Sequence, residues 1–308
     1  MTEAIWQLAG KKSNLWKRQA IMEAVRRFFR DRDFWEVETP NRIPAPAPET
    51  HIDSFPSGNW FLHPSPELCM KRLLAAGYER IFQICKCYRV GERGTRHLPE
   101  FTLLEWYRAQ ADYTDLMRDC EELLFHVARE FGPGQQLTYQ GQTIDLAPPW
   151  ERITVNDAFR CYADISAEAA LAADRFDEIL VAQVEPHLGF TKPVFLYDYP
   201  LPLASLAQRS QTNPQVAERV ELYICGIELA NGFSELTDAA EQRLRFTADM
   251  QERRRLNKAD YPLPEPFLED LVRMPKAAGI ALGLDRLVMI LTDAAAIGSV
   301  VAFTPEML

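Results

Sequence analysis

The sequence is short of positive charge and of long apolar runs. Its 308 residues hold 34 Lys and Arg against 44 Asp and Glu, a formal net charge of −10. Proteins that grip a phosphate backbone broadly usually carry a basic surface, so extensive binding to nucleic acid is disfavoured. No segment approaches the roughly 20 apolar residues that cross a bilayer, and the N-terminus lacks the apolar run of a signal peptide. We therefore expect a cytoplasmic protein that does not enter a membrane.

Cysteine is also sparse. The six cysteines include one C-x-C pair, Cys85 and Cys87, and no C-x-x-C pair. This spacing spells out neither a zinc site nor a disulfide framework. We expect the thiols to be reduced and mostly buried.

The composition, 47% hydrophobic and 25% charged, is ordinary for a globular protein, and one domain over residues 1–308 is the default. Ser13 is a suitable N-cap for a long helix, and a strand over 34–38 follows it and stops before Pro40. Residues 137–189 are predicted to form a mixed, helix-rich insertion. The later strand signals are 80–89, 100–108, 194–197, 219–224 and 227–233. Mostly hairpin-linked strands flanked by helices predict an antiparallel sheet in an α+β fold.

The segment Ser65-Pro66-Glu67 predicts the start of a helix. Ser65 would be the N-cap, Pro66 the first helical residue and Glu67 the first-turn acid. A plain helix start and a binding site are equally good interpretations of this segment.

The hairpin over 80–108 combines cations with an unusual strand. Arg89 ends its first strand, and Arg93, Arg96 and His97 lie in the turn. Guanidinium forks match polyphosphate oxygens, although a solvated basic loop is the alternative. Alternation along the second strand puts an aromatic ring, a carboxylate and a phenol on one face, a set that suits a base and an ammonium group. The residues of that face are Phe101, Leu103, Glu105 and Tyr107.

A second hairpin, turning near 225–226, brings two carboxylates together. Glu221 and Glu228 would lie close to opposite each other. Paired carboxylates repel unless a divalent cation lies between them, and Mg²⁺ commonly takes one or two carboxylates plus substrate phosphates. Strict alternation puts Glu228 on the face opposite Asn231 and Glu235, so one shared site needs a β-bulge, which we expect near Gly232.

In order, these segments resemble the three signature motifs of class II aminoacyl-tRNA synthetases. The first is the helix and strand ending at Pro40, the second the hairpin with Arg89 and its PEF strand, and the third the G-x-A-x-G-x-D-R run ending in Arg286. The stretches RHLPEFTLLEWY and GIELANGFSELTD are similar to the lysyl branch. A near-complete match identifies the chain as a member of the EF-P lysyltransferase family.

The resemblance implies an ATP- and Mg²⁺-dependent ligase. It would activate (R)-β-lysine or lysine as an adenylate and transfer it to a lysine ε-amino group of elongation factor P (EF-P). It also implies a homodimer. Few residues precede the first helix or follow Arg286, so we expect no anticodon-binding domain, and the acidic charge balance disfavours tRNA binding. The alternatives are a truncated lysyl-tRNA synthetase, another core-only amide ligase such as an asparagine-forming enzyme, and a non-catalytic regulatory paralogue.

The resemblance also assigns residues. Arg89 would hold the α-phosphate and the substrate carboxylate, Phe101 would stack on adenine, and His97 and Arg286 would contact the triphosphate, with the two arginines catalytic. The remaining nucleotide contacts are assigned to Gly91, Glu92, Glu228, Leu229 and Gly283. Mg²⁺ is assigned to Glu221 and Glu228. The amino-acid pocket is assigned to Ser65, Pro66, Glu67, Glu105, Tyr107, Asn231, Glu235 and Ala281.

Two departures from the lysyl pattern carry predictions. Lysyl enzymes usually have Arg-x-Glu where this chain reads Arg89-Val90-Gly91-Glu92, so Glu92 or a loop carbonyl would recognise adenine. Ala281 stands where tRNA-charging lysyl enzymes have glycine. A methyl-sized change in a packed pocket is worth about 1 to 3 kcal/mol of discrimination, so we expect a preference for (R)-β-lysine.

Overall fold

The computed structural model describes residues 3–131 and 134–308, with side chains from residue 5 onward. Its helices are α1 (Glu3–Arg30), α2 (Glu67–Ala75), α3 (Tyr113–Phe131), α4 (Val155–Tyr162), α5 (Ala167–Ala172), α6 (Phe176–Ile179), α7 (Ala239–Arg255), α8 (Glu265–Leu271) and α9 (Leu284–Leu291). Its strands are β1 (Trp35–Glu36), β2 (Arg42–Ile43), β3 (Pro56–Ser57), β4 (Trp60–Leu62), β5 (Arg80–Tyr88), β6 (Glu100–Ala109), β7 (Gln136–Tyr139), β8 (Gln142–Asp145), β9 (Glu151–Thr154), β10 (Val194–Pro200), β11 (Val216–Ile224), β12 (Ile227–Ser234) and β13 (Ala277–Gly283). Short helical turns also lie between these elements and near the end of the chain, at Leu180–Val184, Glu185–His187, Leu201–Leu203, Ile297–Ser299 and Pro305–Met307.

The main sheet has eight strands in the order β1-β5-β6-β13-β12-β11-β10-β9. Its interior pairs, from β5 to β10, are antiparallel, as the hairpin signals predict. The outermost pairs, β1 with β5 and β9 with β10, are parallel. The predicted α+β class is therefore confirmed, and the sheet is mixed at its edges because these short edge strands arrive from loops and helices rather than from hairpins.

The two faces of β6 separate the core from the site. Leu104 and Trp106 point into a large apolar core that also holds Phe28 and Phe29 of α1 and residues of α3 and α9. Trp106 is fully buried, and burying a large apolar side chain contributes roughly 1.5–3 kcal/mol. Because side chains alternate along a strand, the odd-numbered residues of β6 face the opposite side.

Helix α1 is longer than predicted. The expectation of an N-cap at Ser13 is wrong, because the helix already includes Glu3 and runs through Ser13 without interruption. The added turns pack on the C-terminal segment: Lys11 Nζ donates to Ala302 O at 3.2 Å and Asn14 Nδ2 to Ser299 O at 3.3 Å. A local capping preference of about 1 kcal/mol is easily overridden by such tertiary contacts.

Residues 137–189 are joined to the main sheet. β7 and β8 form a separate hairpin, whereas β9 adds an edge strand to β10. Helices α4 to α6 then pack their apolar sides, including Phe159 and Phe176, against β10 and Tyr223. The segment is mixed and helix-rich, as predicted, and it extends the scaffold of the sheet.

All six cysteines are free, as expected, but only Cys87, Cys120 and Cys225 are buried. Cys69 and Cys85 are partly buried and Cys161 is exposed. Within residues 3–131 and 134–308, no helix is both long and apolar enough to serve as a membrane span.

Candidate active site

A cleft of about 290 Å³ opens on the face of the sheet that lies opposite the large core. Most residues that the sequence assigns to a site line it: Ser65, Glu67, Arg89, Glu92, His97, Phe101, Glu105, Tyr107, Glu228, Leu229, Asn231, Ala281, Gly283 and Arg286. The predicted alternation on β6 is thus confirmed, since Phe101, Leu103, Glu105 and Tyr107 all reach the cleft. Pro66, Gly91, Glu221 and Glu235 are not part of the cleft wall.

One end of the cleft gathers cations around an aromatic ring. The Arg89 guanidinium carbon lies 5.1 Å from the centroid of the Phe101 ring. Arg89 Nε is 3.4 Å from Pro64 O, and its Nη1 is 3.4 Å from Glu92 Oε1, so both contacts are long and weak. The guanidinium is therefore free to exchange them for a stronger anionic ligand.

Arg286 and His97 form the second part of this cationic end. Arg286 Nη1 donates to Glu228 O at 2.6 Å, and Nη2 lies 2.6 Å from His97 Nε2. A guanidinium can only donate, so His97 Nε2 accepts and the imidazole is neutral. Burial and the Arg286 charge lower the pKa of His97, which agrees with that assignment.

Asp285, the neighbour of Arg286, fixes the junction between β13 and α9 through contacts with Arg18 and Thr102. Asp285 is 1% exposed, and its Oδ1 lies 2.6 Å from Arg18 Nη1. Its other oxygen accepts from the backbone N–H of Thr102 at 2.8 Å, and Arg18 Nη2 also donates to Thr102 Oγ1 at 2.9 Å. Neither Arg18 nor the role of Asp285 was predicted from the sequence, because the two residues lie far apart in the chain.

The other loop cations have different roles. Arg96 lines the cleft and donates from Nη1 to Gly226 O at 3.0 Å, which ties the β5–β6 loop to the β11–β12 turn. Arg93 turns away from the cleft and pairs with Glu306 at 2.7 Å. The expectation that Arg93 belongs to the cationic cluster is therefore not supported by the geometry.

The opposite end of the cleft is acidic and hydrogen-bonded. Glu105 is 1% exposed, and both its oxygens accept hydrogen bonds, from Ser65 Oγ at 2.7 Å and from Tyr107 OH at 2.9 Å. Ser65 Oγ in turn accepts from the backbone N–H of Glu67 at 3.0 Å. The helix begins at Glu67 with Pro66 as its N-cap and no side-chain cap, so the predicted N-cap at Ser65 and first helical residue at Pro66 are wrong, whereas Glu67 is the first-turn acid as predicted.

Lys71, which the sequence analysis missed, organises the carboxylates behind this end. Its Nζ lies 2.5 Å from Glu67 Oε1 and 2.5 Å from Glu235 Oε2, and the side chain is 1% exposed. Burial lowers the pKa of Lys71, but the charges of Glu235 and Glu67 outweigh burial and raise it. Lys71 thus lies between Glu67, which lines the cleft, and Glu235, which does not. The spacing of Glu67 and Lys71, four residues apart on a helix, is a signal that could have identified this pair.

Several carboxyl groups here have raised pKa values. Burial, reinforced by the charge of Glu67, raises the pKa of Glu105 to about 8 and that of the half-buried Glu49 to about 7. Burial also raises the pKa of Glu235 to about 8, with Lys71 opposing. Glu49, on the proline-rich loop, was not predicted; its backbone is held by Arg253, which donates to Glu49 O at 2.9 Å. A cationic ligand would restore the ionised carboxylates.

Ala281 lies at the centre of the acidic end. It pairs with Glu105 on one side and with Asn231 on the other, so the three side chains point to the same face of adjacent strands. Two residues earlier, a Cβ on Gly279 would come within 2.1 Å of Tyr107 Cε1. Glycine at 279 therefore lets the Tyr107 ring lie flat against β13.

Glu221 and Glu228 are near each other but not directly opposite. Glu221 pairs with Asn231, and Glu228 with Tyr223, because Leu229 is an extra residue in β12. The predicted bulge exists, but its predicted position near Gly232 is wrong. A Cβ on Gly232 would come within 2.5 Å of Ile280 Cβ, so this glycine serves close packing between strands. The bulge at Leu229 brings Glu228 and Asn231 to the same face, and both line the cleft.

The two carboxylates differ in environment. Glu221 is buried, with Oε1 accepting from Arg219 Nη2 at 2.7 Å and Oε2 from Tyr223 OH at 2.7 Å. Burial raises its pKa, with Arg219 opposing and Glu228 reinforcing the shift. The Glu228 side chain is 38% exposed, and its closest cationic contact, Arg286, is 3.4 Å away. Glu228 therefore offers free lone pairs toward the cleft for a hard divalent cation, whereas Glu221, whose Oε1 also accepts from Asn231 Nδ2 at 3.3 Å, would exchange hydrogen bonds to share that ion.

The fold and this cleft define a class II synthetase-type catalytic domain, and residues 7–307 match the family model of class II tRNA synthetases (D, K and N). Elongation factor P–(R)-β-lysine ligases of Klebsiella pneumoniae (strain 342), Salmonella dublin and Salmonella paratyphi B are each 41% identical to the chain over 98% of its length and 98% of theirs. The chain belongs to the class II tRNA synthetase family, and within it to the family of these ligases.

Proposed function

We propose that this protein is an ATP-dependent ligase that activates (R)-β-lysine, or lysine, as an aminoacyl-adenylate and transfers it to a lysine ε-amino group of EF-P. The observation that carries the proposal is the polarity of the cleft, with arginines at one end and buried carboxylates at the other. A polyphosphate fits the arginine end and a diamino acid fits the carboxylate end, so that their reacting atoms meet between the two. The names of the similar proteins support EF-P as the acceptor.

Adenylate formation requires in-line attack of the amino-acid carboxylate on the α-phosphate of ATP. Arg89 is suited to hold both reacting groups, because its present contacts are long and its ring neighbour Phe101 offers a stacking surface for adenine. Arg286 and the neutral His97 are suited to the outgoing pyrophosphate. Glu92, Leu229 and Gly283 complete the nucleotide side of the cleft, with Gly91 in the adjoining loop.

Mg²⁺, when bound, would neutralise phosphate charge. Glu228, with its exposed carboxylate, is suited to hold it, and Glu221 lies near enough to share it. The hydrogen bond from Arg219 orients Glu221 beside Glu228 and favours its ionised form.

The diamino acid would bind at the acidic end. Glu105, Glu67 and Asn231 offer acceptors for its ammonium groups, with Ser65 and Tyr107 holding Glu105 in place. Glu235 acts through Lys71, which it positions. The Ala281 methyl lies between Glu105 and Asn231, where it favours the shifted amino group of (R)-β-lysine over that of α-lysine.

In the second step, the EF-P ε-amine would attack the acyl carbon and displace AMP. The carboxylates near the cleft already have partners, so we assign proton acceptance to the departing adenylate phosphate. Substituting Glu105, Glu228 and Glu235 individually and measuring amide transfer from pre-formed adenylate tests this assignment. Selective loss of the second step in one variant would identify that carboxylate as the base instead.

A homodimer in the cytoplasm completes the proposal. Helix α1 exposes Trp6 and Trp16, whose exposed fractions are 63% and 70%. A contiguous exposed apolar patch marks an interface, and we assign the dimer contact to this helix. Light scattering coupled to size-exclusion chromatography should give the mass of two chains, and Trp16→Glu should give that of one.

The deciding experiment offers two acceptors at once. The protein is incubated with Mg-ATP and labelled (R)-β-lysine or α-lysine, together with EF-P and bulk tRNA. We expect label on EF-P, strongest with (R)-β-lysine. Label on tRNA would make the protein a small synthetase, although a net charge of −10 disfavours that outcome. Failure to form adenylate with either amino acid would favour a regulatory role. The presence of the proposed catalytic and Mg²⁺-binding residues disfavours that outcome; they are Arg89, Glu221, Glu228 and Arg286.

A further inference from the structure

His63, Cys85 and Cys87 form a compact cluster outside the residues that line the cleft. The potential ligand atoms of the three side chains all lie within 4.8 Å of one another. His63 and Cys87 are buried, and Cys85 is partly buried. In the part of the chain that the structure describes, this is the one group of three or more His, Cys, Asp and Glu side chains with such spacing.

Strand β5 supplies two of the three side chains. Cys85 and Cys87 are two residues apart on β5, so both side chains point to the same face. Their Sγ atoms are 3.8 Å apart. Two thiolates bound to a tetrahedral zinc at about 2.3 Å each are separated by about 3.8 Å, so the sulfurs already have the spacing of a zinc site.

The tautomer of His63 suits a metal ligand. His63 Nε2 lies 2.6 Å from Lys86 O, and a carbonyl oxygen can only accept, so Nε2 carries the proton. Nδ1 is then an unprotonated acceptor, and it is buried without a hydrogen-bond partner. Metal-bound histidines characteristically donate their other ring N–H to a carbonyl or a carboxylate in this way.

The thiols also suit a soft cation. A thiolate is the ligand form of cysteine. One nitrogen and two sulfurs match the ligand preferences of Zn²⁺ and leave one of its four positions for water, which can enter beside the partly buried Cys85.

We propose that His63, Cys85 and Cys87 bind one zinc ion and that this ion fastens the segment before α2 to strand β5. His63 immediately precedes Pro64 and Ser65, and Ser65 holds Glu105. Backbone contact between the two segments is already present, since Tyr88 N donates to His63 O at 3.0 Å. The ion would therefore reinforce the wall of the acidic end of the cleft.

Cobalt titration of the full-length chain tests the site. The reduced, chelator-treated protein is titrated with Co²⁺, whose thiolate complexes absorb in the near ultraviolet, and the cobalt is then displaced with Zn²⁺. We expect saturation at about one equivalent, tetrahedral visible bands and a higher melting temperature with Zn²⁺. His63→Asn and Cys85→Ser should each weaken binding by at least about 100-fold, beyond the 10- to 100-fold typical of residues that only support a ligand.

Matched variants separate the site from other thiols. Cys69→Ser removes another partly buried thiol and Cys161→Ser an exposed one, and both should bind cobalt like the parent protein. Cys85→Ala is included in case a serine disturbs folding, with circular dichroism as the check on each variant. Absence of a thiolate–cobalt band in the parent protein, or equal binding in the ligand and control variants, would overturn the proposal and leave a pair of hydrogen-bonded thiols.

Discussion

Arg18 of α1 and Asp285 at the start of α9 form a buried ion pair with 2.6 Å between Nη1 and Oδ1. The pair lies directly behind Arg286, so the position of a proposed phosphate ligand depends on a helix that is distant in sequence. Thr102 joins the pair through its backbone N–H and its hydroxyl, which brings the β6 strand into the same network.

Removal of Arg18 should lower the free energy of unfolding substantially. In Arg18→Ala the Asp285 carboxylate stays buried without its cation, and breaking one side of a buried pair costs about 3 to 5 kcal/mol. Urea unfolding measures the loss. Arg72→Ala breaks the exposed Arg72–Asp270 pair as a control and should cost at most about 1 kcal/mol. Equal losses in the two variants would contradict the buried network.

Ala281→Gly should move amino-acid preference toward α-lysine. The methyl lies between Glu105 and Asn231, and its removal should change the ratio of kcat/KM for the two amino acids by roughly 5- to 150-fold, equivalent to about 1 to 3 kcal/mol. Pyrophosphate exchange measures adenylate formation with each. Ala278→Gly adds the same flexibility to the same strand but faces the core, so it should leave the ratio unchanged. An unchanged preference in Ala281→Gly would reject the steric explanation.

Gly279→Ala should damage the amino-acid pocket. The new Cβ would meet Tyr107 Cε1 at 2.1 Å and Glu235 Oε1 at 2.6 Å, so the phenol must move and its hydrogen bond to Glu105 is lost. A bound ammonium group ionises Glu105, and a hydrogen bond to a charged group contributes about 1.5–3 kcal/mol, which predicts a rise in the Kd for the amino acid of roughly 10- to 150-fold. Calorimetric titration gives the Kd. Gly10→Ala, in α1 with no atom within 4 Å, should bind normally and be about 0.5–1 kcal/mol more stable. Normal binding by Gly279→Ala would show that Tyr107 does not need this space.

The free enzyme should lose stability as the pH rises from about 5 to 8. Burial raises the folded-state pKa of Glu105 to about 8, above its ordinary value of 4.5. In that window the folded state binds more protons than the unfolded state, so the free energy of unfolding falls with increasing pH. Urea unfolding across the window measures the slope, which Glu105→Gln should flatten. Glu100→Gln, exposed on the same strand, should leave it unchanged; parallel profiles for all three proteins would contradict the assignment.

The same titration predicts proton release on substrate binding. An ammonium group beside Glu105 lowers the pKa of that carboxyl, so lysine binding near pH 7 should expel protons. Calorimetry in buffers of different ionisation enthalpy counts them. Release should decrease in Glu105→Gln, and uptake rather than release would show that the pocket carboxyls are already ionised.

The sequence by itself determined the features that depend on spacing along the chain. Alternation was sufficient to place Phe101, Glu105 and Tyr107 on one face of β6, because side chains on a strand alternate with a period of two. The order of the motifs was sufficient to predict Arg89 and Arg286 in one cleft. Pairing of Glu221 with Glu228 was predicted only approximately, since a bulge adds one residue wherever local packing allows it, and here that residue is Leu229.

Only the tertiary structure decided which distant side chains meet. Arg18 reaches Asp285, Lys71 joins Glu67 to Glu235, and His63 comes beside two cysteines of β5. These contacts join segments that the folded sheet and helices bring together, and local periodicity contains no information about such distances. Burial has the same origin: the raised pKa values of Glu105 and Glu235 arise from the desolvation of carboxyls by the whole fold, which no short segment specifies.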